Sequence, residues 1–188
     1  MKIFLDAGHN YSAYNTGATG SGLKEQDVTW EIAKKCGEIL AKNGLEIKLS
    51  RPNLTDNLGI DNSTSLAVRC KMANDWGADL YLSLHRNAAP FVAYGIETFI
   101  HKDAGGFSKK VAAAVQSRLV AVAAQSDRGV KTDDQTYRGS LAVLRDTKMP
   151  AILVELGFID NELDNELFDI YLDDYAAAIA EGILEARG

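Results

Sequence analysis

A chain of 188 residues that is 46% hydrophobic and 24% charged can bury one substantial core, and its apolar positions recur along the whole length, which excludes a disordered polymer. A net charge of −6 and a pI near 5.1 argue against nonspecific attraction to nucleic acid or to an anionic membrane. No apolar run approaches the roughly 20 residues of a membrane span, and Cys36 and Cys70 form neither a C-x-x-C pair nor a disulfide framework.

KIFLD (2–6) reads as a buried strand, followed by a Gly-, Asn-, Ser- and Thr-rich loop over 8–22. Val28, Ile32, Cys36 and Ile39/Leu40 recur at helical spacing, so 25–43 reads as a helix stopped by Asn43-Gly44, with Cys36 a small buried hydrophobe on its apolar stripe. LEIKLS (45–50) is a second strand, 51–62 a polar turn-rich stretch, 63–76 a second helix and DLYLSL (79–84) a third strand. GIETFIH (95–101) reads as a fourth strand and 107–124 as a third helix, followed by a polar loop over 125–139. SLAVL (140–144) and AILVE (151–155) complete the strands, and one or two helices over 162–187 close the chain. Strands alternating with helices predict a single α/β domain over 1–188. Its sheet is twisted, mostly parallel and of about six strands, with helices on both faces.

Chemistry collects at the strand ends. Ala7-Gly8-His9 follows the first strand, His85 follows the third, and Glu155 ends the apolar run AILVE. In an open parallel sheet the active crevice lies outside the carboxyl ends of the strands. The loop leaving the first strand delivers Glu25, at the start of the first helix, to that same edge, where the helix dipole favours an acid. Two histidines and one glutamate suit an open zinc site with a fourth position left for water, and a second carboxylate beside it can accept a proton. His9, Glu25 and His85 with Glu155 are therefore the constellation of a metal-dependent hydrolase. Glu155 stands out on its own, because a carboxylate in an apolar run is costly unless it has a partner or a task. Asp6 could hold the free ring nitrogen of a ligating histidine or cap the turn. Arg69, inside the second helix, reads as structural, and His101 as a surface residue at the far end of its strand.

Four segments in this order, IFLDAGHN, GLKEQDVTWEIA, NDWGADLYLSLHRNAAP and RGVK…LAVLRDTKMPAILVELGFIDN, resemble the zinc-dependent N-acetylmuramoyl-L-alanine amidases of the amidase-3 type. These include wall-remodelling and sporulation enzymes and phage endolysins. The resemblance implies one zinc ion held by His9, Glu25 and His85, with Glu155 as the catalytic carboxylate. The bond cut in peptidoglycan would join the lactyl group of N-acetylmuramic acid to L-alanine. Basic residues near the crevice, namely Arg86, Arg128, Lys131 and Arg145, are then candidates to meet stem-peptide carboxylates, and Asn87 either contacts substrate or holds the His85 turn. The commoner family turn is D-P-G-H-G-G; here it is Asp6-Ala7-Gly8-His9-Asn10-Tyr11, so the following loop should differ in shape. No secretory signal pattern precedes the first strand. The expectation is synthesis in the cytoplasm with release to the wall by lysis, or a domain excised from a secreted enzyme that also carried a wall-binding module. The alternatives are another zinc peptidase or deacylase, and an inactive wall-binding module.

Overall fold

The computed structural model describes residues 1–89 and 93–188; Pro90, the last residue of the segment quoted around His85, lies outside them. The elements run β1 (Lys2–Ala7), β2 (Thr19–Gly20), β3 (Leu23–Lys24), α1 (Glu25–Lys42), β4 (Glu46–Leu49), α2 (Asn62–Trp76), β5 (Leu80–Asn87) and β6 (Ile96–Ile100). They continue with α3 (Gly106–Val122), β7 (Asp127–Thr132), α4 (Ala142–Arg145), β8 (Ala151–Phe158), α5 (Glu162–Ile170) and α6 (Leu172–Arg187). The main sheet has six strands in the order β4-β1-β5-β8-β6-β7, and β2 and β3 form a separate small hairpin. All main-sheet pairings are parallel except β6 against β8. The predicted α/β architecture and strand number hold, but the membership differs. DRGVKT, expected within a loop, is the edge strand β7, and SLAVL, expected as a strand, contributes the short helix α4.

The period-two alternation of the strands sorts their side chains onto two unequal faces. Ile3, Leu5, Leu82, Leu84, Ile152 and Val154 point into the larger core, covered by α1, α3 and α6. Phe4, Tyr81, Phe99, Ala151 and Leu153 point to the other face, where α2 and the short α4 supply a smaller cover. The same parity puts Asp6, Ser83, His85, Glu97 and Glu155 on this thinner face. Continued past Leu153 and Tyr81, it leaves the α2 and α4 packing and turns polar at one edge of the sheet. That edge is the carboxyl end of β1, β5 and β8 and, because β6 runs antiparallel to β8, the amino end of β6 and β7.

Helix α2 begins with a reciprocal cap: Thr64 N–H donates to Asp61 Oδ1 at 2.7 Å, and Asp61 N–H donates to Thr64 Oγ1 at 3.0 Å. Asp61→Ala is expected to cost about 1 kcal/mol, a fall in Tm of roughly 2–4 °C for a domain of this size, measurable by calorimetry. No helix among the described residues is long and apolar enough to cross a membrane.

Candidate active site

The turn after β1 carries the first of the four predicted site residues. His9 adopts a left-handed backbone, φ 67°, a conformation that costs a non-glycine residue on the order of 1–3 kcal/mol and persists only where its surroundings impose it. Two buried arginines impose it. Arg69, from α2, donates to the carbonyls of Ala7 and His9 and to Asn10 Oδ1, while its Nη1 pairs with Asp6 Oδ1 at 2.5 Å. Arg51 donates to the carbonyls of Gly8 and Gln26, tying the turn to α1. His9 Nδ1 then lies 3.2 Å from the Asn15 carbonyl, which leaves Nε2 for the site.

Glu25 enters from the first position of α1 and is almost fully buried. Its Oε1 lies 3.1 Å from His9 Nε2 and 3.0 Å from His85 Nδ1. The Arg86 N–H donates to the same oxygen at 3.0 Å, and Oε2 accepts the Ala18 N–H at 3.0 Å. Burial alone would raise the Glu25 pKa; the hydrogen bonds and charges of His85 and His9 outweigh it and hold the carboxyl well below the usual range.

These donors fit a metal ion. One ligand atom from each of His9, Glu25 and His85 falls within 4.8 Å of the others. A tetrahedral zinc with bonds of about 2.1 Å sets its ligand atoms about 3.4 Å apart, close to the two spacings centred on Glu25. Glycines make the room. A Cβ on Gly8 would lie 2.5 Å from His85 Cε1, and one on Gly17 would lie 2.6 Å from Glu25 Cβ. Gly8→Ala is expected to displace the His85 ring and weaken metal binding on the order of 10–100-fold, the range for disturbed ligand support. Competition against a chromophoric zinc chelator would measure it.

Glu155 is the register partner of His85 on the neighbouring parallel strand. Its Oε2 is out of solvent contact and has no hydrogen-bond partner among the described residues. Burial, then the charges of Glu25 and Glu97, push its pKa well up, against a smaller opposing pull from Arg86. A half-buried carboxylate that lines the crevice beside a metal-type cluster is placed to accept and return a proton. The crevice around it measures about 1120 Å³ and runs between α2, the 135–145 segment and the amino ends of β6 and β7.

Several expected contacts are corrected. Asp6 does not reach a histidine ring: its carboxylate is consumed by Arg69 and by the Ser83 hydroxyl at 2.8 Å. Arg86 is buried and turned toward α5, donating to the Phe158 carbonyl and to Asn165 Oδ1 at 2.7 Å, with its guanidinium over the Phe168 ring. Arg145 borders the crevice as expected, half exposed and paired with both oxygens of its neighbour Asp146. The Asn87 amide donates to Glu97 Oε1 at 2.6 Å, so it serves that carboxylate. Arg128 and Lys131 do line the crevice, and both bind Glu97 Oε2. His101 follows the carboxyl end of β6, at the opposite edge of the sheet from the cluster. Sequence reading passed over Glu97, although a carboxylate inside the apolar strand IETFI carries the same signal that singled out Glu155.

With the geometry in hand, the comparisons are specific. The family model described as N-acetylmuramoyl-L-alanine amidase matches residues 3–186. The sporulation-specific N-acetylmuramoyl-L-alanine amidase of Bacillus subtilis (strain 168) is 35% identical over 190 residues, which cover 99% of this chain and 68% of that protein. The endolysin of Bacillus phage SPP1 is 36% identical over 191 residues, 97% of this chain and 65% of that one. Among solved structures, the N-acetylmuramoyl-L-alanine amidase from Clostridium difficile 630 matches with a TM-score of 0.84 at 32% identity, over 98% of this chain and 95% of that one.

Proposed function

The chain belongs to the amidase-3 family of N-acetylmuramoyl-L-alanine amidases, and from that membership we propose that it cuts the amide between the lactyl group of N-acetylmuramic acid and L-alanine with the help of one zinc ion. The observation that carries the reading is the pairing of His85 with Glu155 across β5 and β8. It sets an uncommitted carboxylate beside the His9–Glu25–His85 cluster, at the floor of an open crevice.

His9, Glu25 and His85 would hold the zinc, which when bound supplies a Lewis-acid charge for the scissile carbonyl and acidifies water to a pKa near 7. Glu25 is fixed for this by the Arg86 and Ala18 N–H groups, so its orientation does not depend on the ion. Glu155, which lines the crevice, takes the proton of the attacking water on its carboxylate and returns it to the alanine nitrogen as the C–N bond breaks. Its raised pKa suits a group that must carry a proton between the two steps. An open crevice admits a glycan strand with its attached peptide, where an enclosed pocket would admit only small ligands. Action on the cell wall, as the names of the endolysin and sporulation relatives indicate for those proteins, is part of the same reading.

The test is turnover of purified sacculi by zinc-loaded protein. New alanine amino termini without new reducing sugar are expected, lost on chelation and restored by zinc. Release of reducing sugar, or of peptide fragments that leave the muramoyl–alanine bond intact, would overturn the assignment.

A further inference from the structure

Glu97 is 3% exposed and gathers three donors. The Asn87 amide reaches Oε1 at 2.6 Å, and Oε2 takes both Arg128 Nε at 3.0 Å and Lys131 Nζ at 2.5 Å. Two cations on one carboxylate leave a local excess of one positive charge, on residues that line the same crevice as Glu155. The two cations are held differently. Lys131 spends its point charge on Glu97. Arg128 is pinned at Nε, and its guanidinium carbon sits 4.9 Å from the centroid of the Phe158 ring. Neither of its Nη groups has a hydrogen-bond partner among the described residues, and the side chain is 33% exposed. A guanidinium fixed at its Nε and by ring stacking, with its terminal nitrogens uncommitted, is a preorganised fork for a planar anion.

On the reading of the chain as a wall amidase, we propose that Arg128, braced by Glu97 and Phe158, is a specificity-determining clamp for a free carboxylate on the peptide side of the substrate. Lys131 supplies the countercharge that keeps the brace from cancelling the clamp. Position limits which carboxylate it meets. Strand β7 lies two strands from β8, about 10 Å away, and an extended peptide advances about 3.5 Å per residue. The carboxylate recognised is therefore borne within about three residues of the cut bond. Glu97 acts through Arg128 and is a positioning residue.

The experiment compares N-acetylmuramoyl tripeptides that differ only in whether the peptide carboxylates are free or amidated. Wild type is expected to show KM at least about tenfold lower for the free form, the scale of a hydrogen bond to a charged group, with kcat similar for the two. Arg128→Gln should collapse that KM ratio to near unity. Arg128→Lys should leave it collapsed, because a point charge lacks the fork. Glu97→Gln should raise KM for the free form while the protein still unfolds cooperatively. Equal KM values for the two peptides in wild type would overturn the clamp without any variant being made, and so would a tenfold ratio that survives Arg128→Gln. Amine release from neither peptide by zinc-loaded wild type would instead overturn the amidase reading on which the clamp rests.

Discussion

Glu155→Gln is expected to lower kcat on sacculi by about 10²–10⁴, the range for loss of general acid–base catalysis, while zinc content stays at the wild-type level. The substitution keeps the shape of the side chain and removes only its capacity to carry the proton. Nothing in the fold leans on the lost charge, since Oε2 has no hydrogen-bond partner among the described residues. The carboxylate is disfavoured by burial and by the neighbouring charges of Glu25 and Glu97, so the amide should leave Tm unchanged or raise it. Activity, bound zinc and Tm therefore separate three roles. Loss of zinc together with activity would make Glu155 a ligand. Loss of Tm would make it structural. Loss of activity alone is the expected signature of the proton carrier.

The residues of the candidate site were legible because they sit where short motifs meet strand ends. His9 after KIFLD, His85 after DLYLSL and Glu155 closing AILVE needed only the rule that parallel strands share one carboxyl edge, and the structure brings their side chains together with Glu25. What was not legible depended on tertiary context. SLAVL is a short apolar run, and periodicity alone does not separate strand from helix at that length; burial of Val143 and Leu144 against the α2 side of the sheet decides for the helix α4. DRGVKT carries three charges and a glycine, so it lacks the apolar signature of a strand, yet as an edge strand it pairs on one side only with β6. The buried arginines were harder to read: Arg51 was passed over, and Arg86 was expected to face substrate. Arg51 and Arg86 are wholly inside the protein, and Arg51 is satisfied by main-chain carbonyls alone, partners that carry no trace in side-chain sequence.

Arg69→Met is expected to destabilise the fold by about 3–5 kcal/mol at neutral pH, the cost of leaving one member of a buried ion pair without the other. Arg69 and Asp6 are both about 1% exposed, and the same guanidinium also holds the His9 turn in its left-handed conformation. Burial works to raise the Asp6 pKa, and the Arg69 charge, together with smaller pulls from His85 and neighbouring hydroxyls, more than offsets it, so the folded carboxyl titrates well below its unfolded value of about 3.9. In the wild type this contributes stability that is present above about pH 4 and lost as the pH falls below it. In the variant the sign reverses. Burial, the largest influence on Asp6 and no longer opposed by the Arg69 charge, is expected to place the folded pKa above the unfolded one, and the penalty present at neutral pH is relieved as the pH falls through that raised value. The stability gap between the two proteins should therefore be widest near pH 7 and narrow toward pH 4. Urea unfolding of both, in chelator so that metal release does not contribute, measures the gap directly. A gap that stays constant across that range would mean that Arg69 stabilises the fold through the carbonyls of Ala7 and His9 and not through the charge of Asp6. Zinc affinity should then fall in Arg69→Met and be retained in Asp6→Asn, where the guanidinium still grips the turn.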